Sequence, residues 1–335
     1  MSICSQTRWP SVAFLRRLRL AAVSGGFFLI VVWLFLAPPL FSSTKTRMPF
    51  AVSAQRLETH VRMLSETLVP RDAAHPENLD RVAAYIRQAF AHSSATVIDQ
   101  PFQVNTRTYR NVVARYGPET KERVIVGAHY DAASPFPGAD DNASGVAGLL
   151  ELAALLEKSD LPHTVELVAY ALEEQPFFRT PQMGSAVHAN ALQREGVRVR
   201  AMFSLEMIGY FTDAADTQQF PLALLSWWYP STGNFIAVVG KLGQGRLVRR
   251  VQHAMAQANS LPVFSLTAPR FLRGVDFSDH ASYWQVGYPA VMITDTAFYR
   301  NPHYHTKTDT ADTLDYQRMA QVVAGVYAAV HEMTR

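Results

Sequence analysis

The chain has 335 residues, 48% of them hydrophobic, which supports a sizeable core and excludes a disordered protein. Its formal net charge of +3 is unevenly spread: seven of the 31 Lys and Arg residues precede the first acid, Glu58, leaving 24 basic against 28 acidic residues beyond. That body is mildly acidic and shows no basic footprint for a nucleic-acid partner. The single cysteine, Cys4, excludes both a disulfide framework and a thiol nucleophile there.

In chain order, residues 1–19 read as a cytoplasmic leader carrying Arg8, Arg16, Arg17 and Arg19 and no acid. Leu20 to Phe41 follows without a charge, 22 residues or about 33 Å of helix, enough to cross a bilayer. The run exceeds the apolar core of a cleaved signal peptide, and no Ala-x-Ala site follows it. With basic residues kept inside, the expectation is a single-pass anchor in the cell membrane over residues 20–41. Everything after it lies outside the cytoplasm, in the periplasm if the source is bacterial.

Residues 50–335 show no composition shift, repeat or low-complexity segment and read as one domain. Amphipathic helices are predicted over Ala54 to Leu68 and Glu77 to Ala91, the second with Leu79, Val82, Ile86 and Phe90 on one face. Strands are then predicted over Arg110 to Tyr116, Arg123 to Ala128, Val165 to Leu172, Arg200 to Glu206, Phe235 to Val239 and Ala290 to Asp295. Helices are predicted over Ala143 to Lys158, Pro181 to Arg194, Gly245 to Ser260, Ser278 to Val286 and Asp315 to Met333. The alternation is that of an α/β fold with a mixed, largely parallel central sheet flanked by helices. The Pro-, Trp- and Tyr-rich stretch Phe211 to Gly233 is too long for an ordinary connection and reads as an inserted loop beside a site.

In such sheets ligands bind outside the carboxyl ends of the strands, and the polar residues gather there. Arg123 to Ala128 ends in His129-Tyr130-Asp131, and strand alternation points His129 and Asp131 the same way. A His with a carboxylate to accept its second ring N–H suits a metal ligand. Gly138-Ala139-Asp140-Asp141-Asn142 then opens a helix with two adjacent acids, one more than capping needs. Val165 to Leu172 ends in Glu173-Glu174, neighbours that project to different sides, so that one can bind a metal while the other faces the water of hydrolysis. Glu206 ends the next strand behind Phe203 and Leu205, where a buried carboxylate needs a counter-charge. Asn301-Pro302-His303-Tyr304-His305-Thr306 offers a second imidazole. Two His and three carboxylates as ligands, with one Glu free, suit two zinc-like ions sharing a carboxylate and a water.

This ordered set, together with Ser278-Asp279-His280, resembles the co-catalytic zinc peptidases of family M28, the aminopeptidase and glutamate-carboxypeptidase group, over roughly residues 55–335. The resemblance implies a zinc-exopeptidase fold and two Zn²⁺ ions. His129 and Glu206 would bind one ion, Glu174 and His305 the other, with Asp141 between them. It also implies Glu173 as general base, Asp131 as the partner of His129, and a cis peptide between Asp141 and Asn142. His305 is taken over His303 because it matches the family's His-Thr. Two departures are Glu206, where the best-known members carry Asp, and Gln175-Pro176-Phe177-Phe178, where many have a Gly-rich turn.

The expected activity is a membrane-anchored exopeptidase, most simply an aminopeptidase acting on a peptide or small-protein substrate. The alternatives are a carboxypeptidase of the same fold, a glutaminyl-cyclase-like zinc acyltransferase, and a non-enzymatic ectodomain. Other motifs fail: His331-Glu332 lacks the second His, no Gly-x-Ser-x-Gly occurs, and Gly243-x-Gly245 lacks a third glycine. Arg246, Arg249 and Arg250 read as a solvated face, Trp227, Trp228 and Tyr229 as loop anchors, and His280 as either a site residue or a core His.

Overall fold

The computed structural model describes residues 52–258 and 260–335. The predicted leader and membrane anchor lie outside them, and among the described residues no helix is long and apolar enough to cross a membrane.

The chain enters through α1 (Ala54–Arg62), extended by a wider turn over Met63–Thr67, and α2 (Pro76–Ala91). Ser53 caps α1 by accepting from the Arg56 N–H, and Pro76 opens α2, where a missing N–H costs nothing. Next come β1 (Thr96–Val104), β2 (Arg107–Tyr116), β3 (Glu122–His129), α3 (Gly145–Leu156), β4 (Thr164–Tyr170), α4 (Gly184–Arg194) and β5 (Arg198–Glu206). They are followed by β6 (Ile236–Lys241), α5 (Gly245–Ala258), β7 (Val263–Ala268), α6 (His280–Gln285), β8 (Ala290–Thr294) and α7 (Tyr316–Thr334).

The eight strands form one mixed sheet in the order β1-β2-β4-β3-β5-β8-β6-β7. The central four, β4, β3, β5 and β8, are mutually parallel, while β2 joins β4 and β6 joins β8 antiparallel. Period-two alternation serves two cores: Val124 and Val126 face one side of the sheet, Ile125 the other. Helices α1, α2, α3, α5 and α7 cover the first face, with α4 and α6 on the second. Every residue of β4 is buried, and its one charge, Glu166, accepts from both Arg115 and Arg123 at 2.7 Å.

Two strands escape the sequence pattern, Thr96–Val104 and Val263–Ala268, and they are the two edges of the sheet. An edge strand packs on fewer sides, so its apolar signal thins; the first even carries Pro101, which an edge accepts. The helix expected from Pro181 begins only at Gly184, where a Cβ would lie 2.1 Å from the Asn111 amide oxygen and 2.6 Å from the Ala171 carbonyl. His280 resolves as a core residue: its Nε2 lies 2.8 Å from the Val275 carbonyl oxygen, its ring stands edge-on to Trp284, and burial lowers its pKa to about 4. The expected loop anchors divide, since Tyr229 is buried and donates to the Ser265 carbonyl while Trp227 is 76% exposed.

Candidate active site

The carboxyl ends of β3, β4, β5 and β8 open onto one buried cluster. His129, the last residue of β3, sets its Nε2 3.3 Å from a Glu206 oxygen, 3.4 Å from Asp141 Oδ1 and 3.9 Å from Glu173 Oε2. His305, beyond β8, sets its Nε2 3.0 Å from Asp141 Oδ2 and 3.4 Å from Glu174 Oε1. Two three-residue sets result, His129 with Asp141 and Glu206, and Asp141 with Glu174 and His305, each with its donor atoms within 4.8 Å of one another. Asp141 belongs to both. His303 stays outside, its Nδ1 2.8 Å from the Thr308 hydroxyl.

Four of these atoms, His129 Nε2, Asp141 Oδ1, Glu174 Oε1 and His305 Nε2, are buried with no hydrogen-bond partner. Leaving such groups unpaired is costly, and four carboxylates facing two imidazoles carry excess negative charge even when both rings are protonated. Divalent cations bound by N and O donors satisfy both demands, so the residues present fit a metal.

The titration pattern follows from this crowding. Burial, reinforced by Glu174 and Glu206, holds Glu173 well above the carboxylate range. Burial likewise pushes Glu174 up to about 7, with Asp141 adding to it. Asp141 goes the other way, because against the upward pull of burial its two imidazole neighbours favour the anion. Burial alone would lower His305, but Asp141 and Glu174 raise it to about 10.

Hydrogen bonds from neighbouring segments position much of the cluster. The Asp131 carboxylate accepts from the N–H groups of Glu173 and Glu174 at 3.1 and 2.9 Å. His129 Nδ1 faces the Asp131 carbonyl at 3.1 Å, with the carboxylate farther away at 3.7 Å. Asp131 thus holds more than its expected partner: beside its contact with His129 Nδ1, its side chain also sets the two glutamates, and its backbone carbonyl faces the His129 ring. Sequence spacing could not separate these, because both begin with the same residue two positions along.

The loop carrying Asp141 is held from three directions. Asp309 accepts from the N–H groups of Asp140 and Asp141, and Asn142 donates to the Leu205 carbonyl while accepting from Met207 and Gly145. Arg71, 1% exposed, donates to the carbonyls of Leu64, Tyr130, Pro137 and Gly138. Gly138 sits at φ +61°, and a Cβ there would meet the Asp141 carbonyl at 2.3 Å. The Asp141–Asn142 peptide is cis. Ser278 supports Glu206 by donating to it at 2.7 Å.

Within Asn-Pro-His-Tyr-His the sequence assigns a role to an imidazole and none to Tyr304. Its ring stacks on His305 at 3.9 Å, and burial together with Asp141, Glu174, Glu206 and Glu173 keeps its phenol protonated. Beside Tyr304 and Glu206 opens an apolar cleft walled by Leu225, Phe264, Val275, Phe277 and Phe298. Leu225, with Phe220 and Tyr229, comes from the stretch Phe211 to Gly233, which is otherwise irregular apart from one short 3₁₀ turn.

The chain is 47% identical over 318 residues to the uncharacterized protein YfbL of Escherichia coli K12, spanning 91% of this chain and 98% of that one. It is 26% identical over 269 residues to leucine aminopeptidase 1 of Fusarium vanettenii, covering 76% of this chain and 62%, under two thirds, of the fungal protein's length. The zinc aminopeptidase BSAP of Bacillus subtilis shares the fold, with a TM-score of 0.70 at 17% identity over 85% of this chain and 96% of that one. The model of peptidase family M28 matches residues 111–330, a span that takes in all the converging acids and imidazoles. By that match the chain belongs to peptidase family M28 and is a metallopeptidase.

Proposed function

We infer that this metallopeptidase is an aminopeptidase that holds two zinc ions and removes residues from the amino terminus of peptides. The observation that carries the reading is the pair of donor sets sharing Asp141, with a further buried carboxylate, Glu173, beside them and outside both. His129, Asp141 and Glu206 would hold one ion and Asp141, Glu174 and His305 the other. Bound there, the ions would supply a water of lowered pKa and a Lewis acid for the scissile carbonyl.

The chain's own groups do the rest. Glu173, outside both sets, would be ionised with the ions' positive charge beside it, and then accepts the water's proton and returns it to the leaving amine. The Tyr304 hydroxyl, protonated over the cluster, donates to the carbonyl oxygen as negative charge gathers on it. The cleft of Leu225, Phe264, Val275, Phe277 and Phe298 takes apolar substrate groups beside the bond and excludes water from it. The names of the fungal and Bacillus relatives, both aminopeptidases, support the choice of end.

Metal removal tests this directly. A chelator should abolish hydrolysis of leucyl peptides, and zinc should restore it at about two ions per chain. Amino-terminally acetylated peptides should remain uncut. Full activity in metal-free protein would sink the reading, and cyclisation of an amino-terminal glutamine peptide without hydrolysis would replace it with acyl transfer.

We further propose that residues 20–41 anchor the chain in the cell membrane with the domain outside the cytoplasm, supported by the uncharged run behind four arginines. The full chain should stay with membranes through an alkaline wash, and a carboxyl-terminal reporter should be active only outside. A soluble mature product starting near Ser42 would show a cleaved signal instead.

A further inference from the structure

Three arginines near the cleft walls are not used by the chemistry above. Arg179 reaches across Phe277, its guanidinium 4.8 Å from the ring, and is neutralised by an ion pair with Asp276. Arg300 is buried and donates to Gln218 and to the Phe235 carbonyl. Arg273 differs from both. It lines the cleft together with Glu206 and Tyr304, its side chain is exposed, and its guanidinium lies over the Phe298 ring at 4.8 Å with no ion-pair partner among the described residues.

Its distance from the reacting centre can be bounded. Phe298 packs on Tyr304 with ring centroids 5.6 Å apart, and Tyr304 stacks on His305 at 3.9 Å. The Arg273 guanidinium is therefore no more than about 14 Å from the His305 ring, roughly four residues of extended peptide at most. A cation held flat on an aromatic face keeps its outer N–H groups free for an anion, and a planar guanidinium matches a carboxylate.

We propose that Arg273 is a specificity-determining residue that binds a substrate carboxylate within about four residues of the scissile bond, selecting short or acidic peptides; this rests on the peptidase reading. The carboxylate can be the free carboxyl terminus of a di- to tetrapeptide or an acidic side chain beyond the bond. Arg179 and Arg300 already have partners, so Arg273 is the arginine beside the cleft left for such a group.

Hydrolysis of Leu-Gly-Gly, Leu-Gly-Gly-amide and Leu-Asp-Gly-amide by the zinc-loaded full chain decides this. The free acid, the Asp peptide or both should exceed the neutral amide in kcat/KM by about tenfold, the scale of a charged hydrogen bond. Which of the two responds identifies the carboxylate. The ratio to the neutral amide should shrink at high salt, fall towards one in R273Q, invert in R273E, and largely survive in R273K. A ratio near one in the unmodified protein, or one that R273Q leaves unchanged, overturns the inference while the peptidase reading stands. If none of the three peptides is cut, both fall together.

Discussion

Glu173→Gln is expected to lower kcat by roughly 10²–10⁴ while the protein keeps its metal, the usual contribution of a positioned general base. Glu174, one residue on, should behave differently. Its oxygen belongs with Asp141 and His305 in one donor set, so Glu174→Gln trades a charged ligand for a weak neutral one and should lower metal content and activity together. The distinction rests on geometry: Glu174 lies 3.4 Å from His305, whereas Glu173 stands 3.9 Å from His129 and outside both donor sets. Loss confined to proton transfer should appear equally in kcat and kcat/KM. Metal analysis and steady-state kinetics on the two variants check it. Metal lost from the Glu173 variant but kept in the Glu174 variant would reverse the assignment, and two unimpaired variants would remove the pair from the chemistry.

Arg71→Met should destabilise the folded domain by about 3–5 kcal/mol, because it deletes a donor to four buried carbonyls, of which Gly138 keeps the Ala143 N–H as a second donor. The cost arises in the folded state, since in the unfolded chain water serves these carbonyls. Urea unfolding of the variant and parent measures it, and a loss under about 1 kcal/mol would show that neighbouring groups take over. Because two of the four carbonyls belong to Pro137 and Gly138, just before Asp140 and Asp141, metal affinity should fall along with stability.

What the sequence made legible follows the physics of strands. His129, Glu173, Glu174 and Glu206 could be singled out because each ends or directly follows an apolar run, and the parallel strands bring those ends together. The edge strands stayed hidden for the converse reason, having too little burial to shape their composition. Arg71 and Asp309 could not be read at all: apart from Leu64, the backbone groups they hold lie 59 to 169 positions away, which leaves no local pattern around either residue. Tyr304 lay within a recognised motif, yet only the stacking on His305 distinguishes it from any other tyrosine of a loop.

The reversed direction of β6 has a bearing on how such a protein can diversify. Because β6 runs opposite to β5 and β8, the chain leaving β5 after Glu206 remains on the ligand side until it enters β6, so the stretch Phe211 to Gly233 lies above the sheet at that end. None of the proposed metal ligands falls within this stretch: Glu206 precedes it and His305 follows it. It nevertheless supplies Phe220, Leu225 and Tyr229 to the wall of the cleft. Insertions, deletions and exchanges there can redraw the shape of the cleft while the ligand-bearing strands keep their register, so substrate preference can drift between lineages on a reaction centre inherited intact.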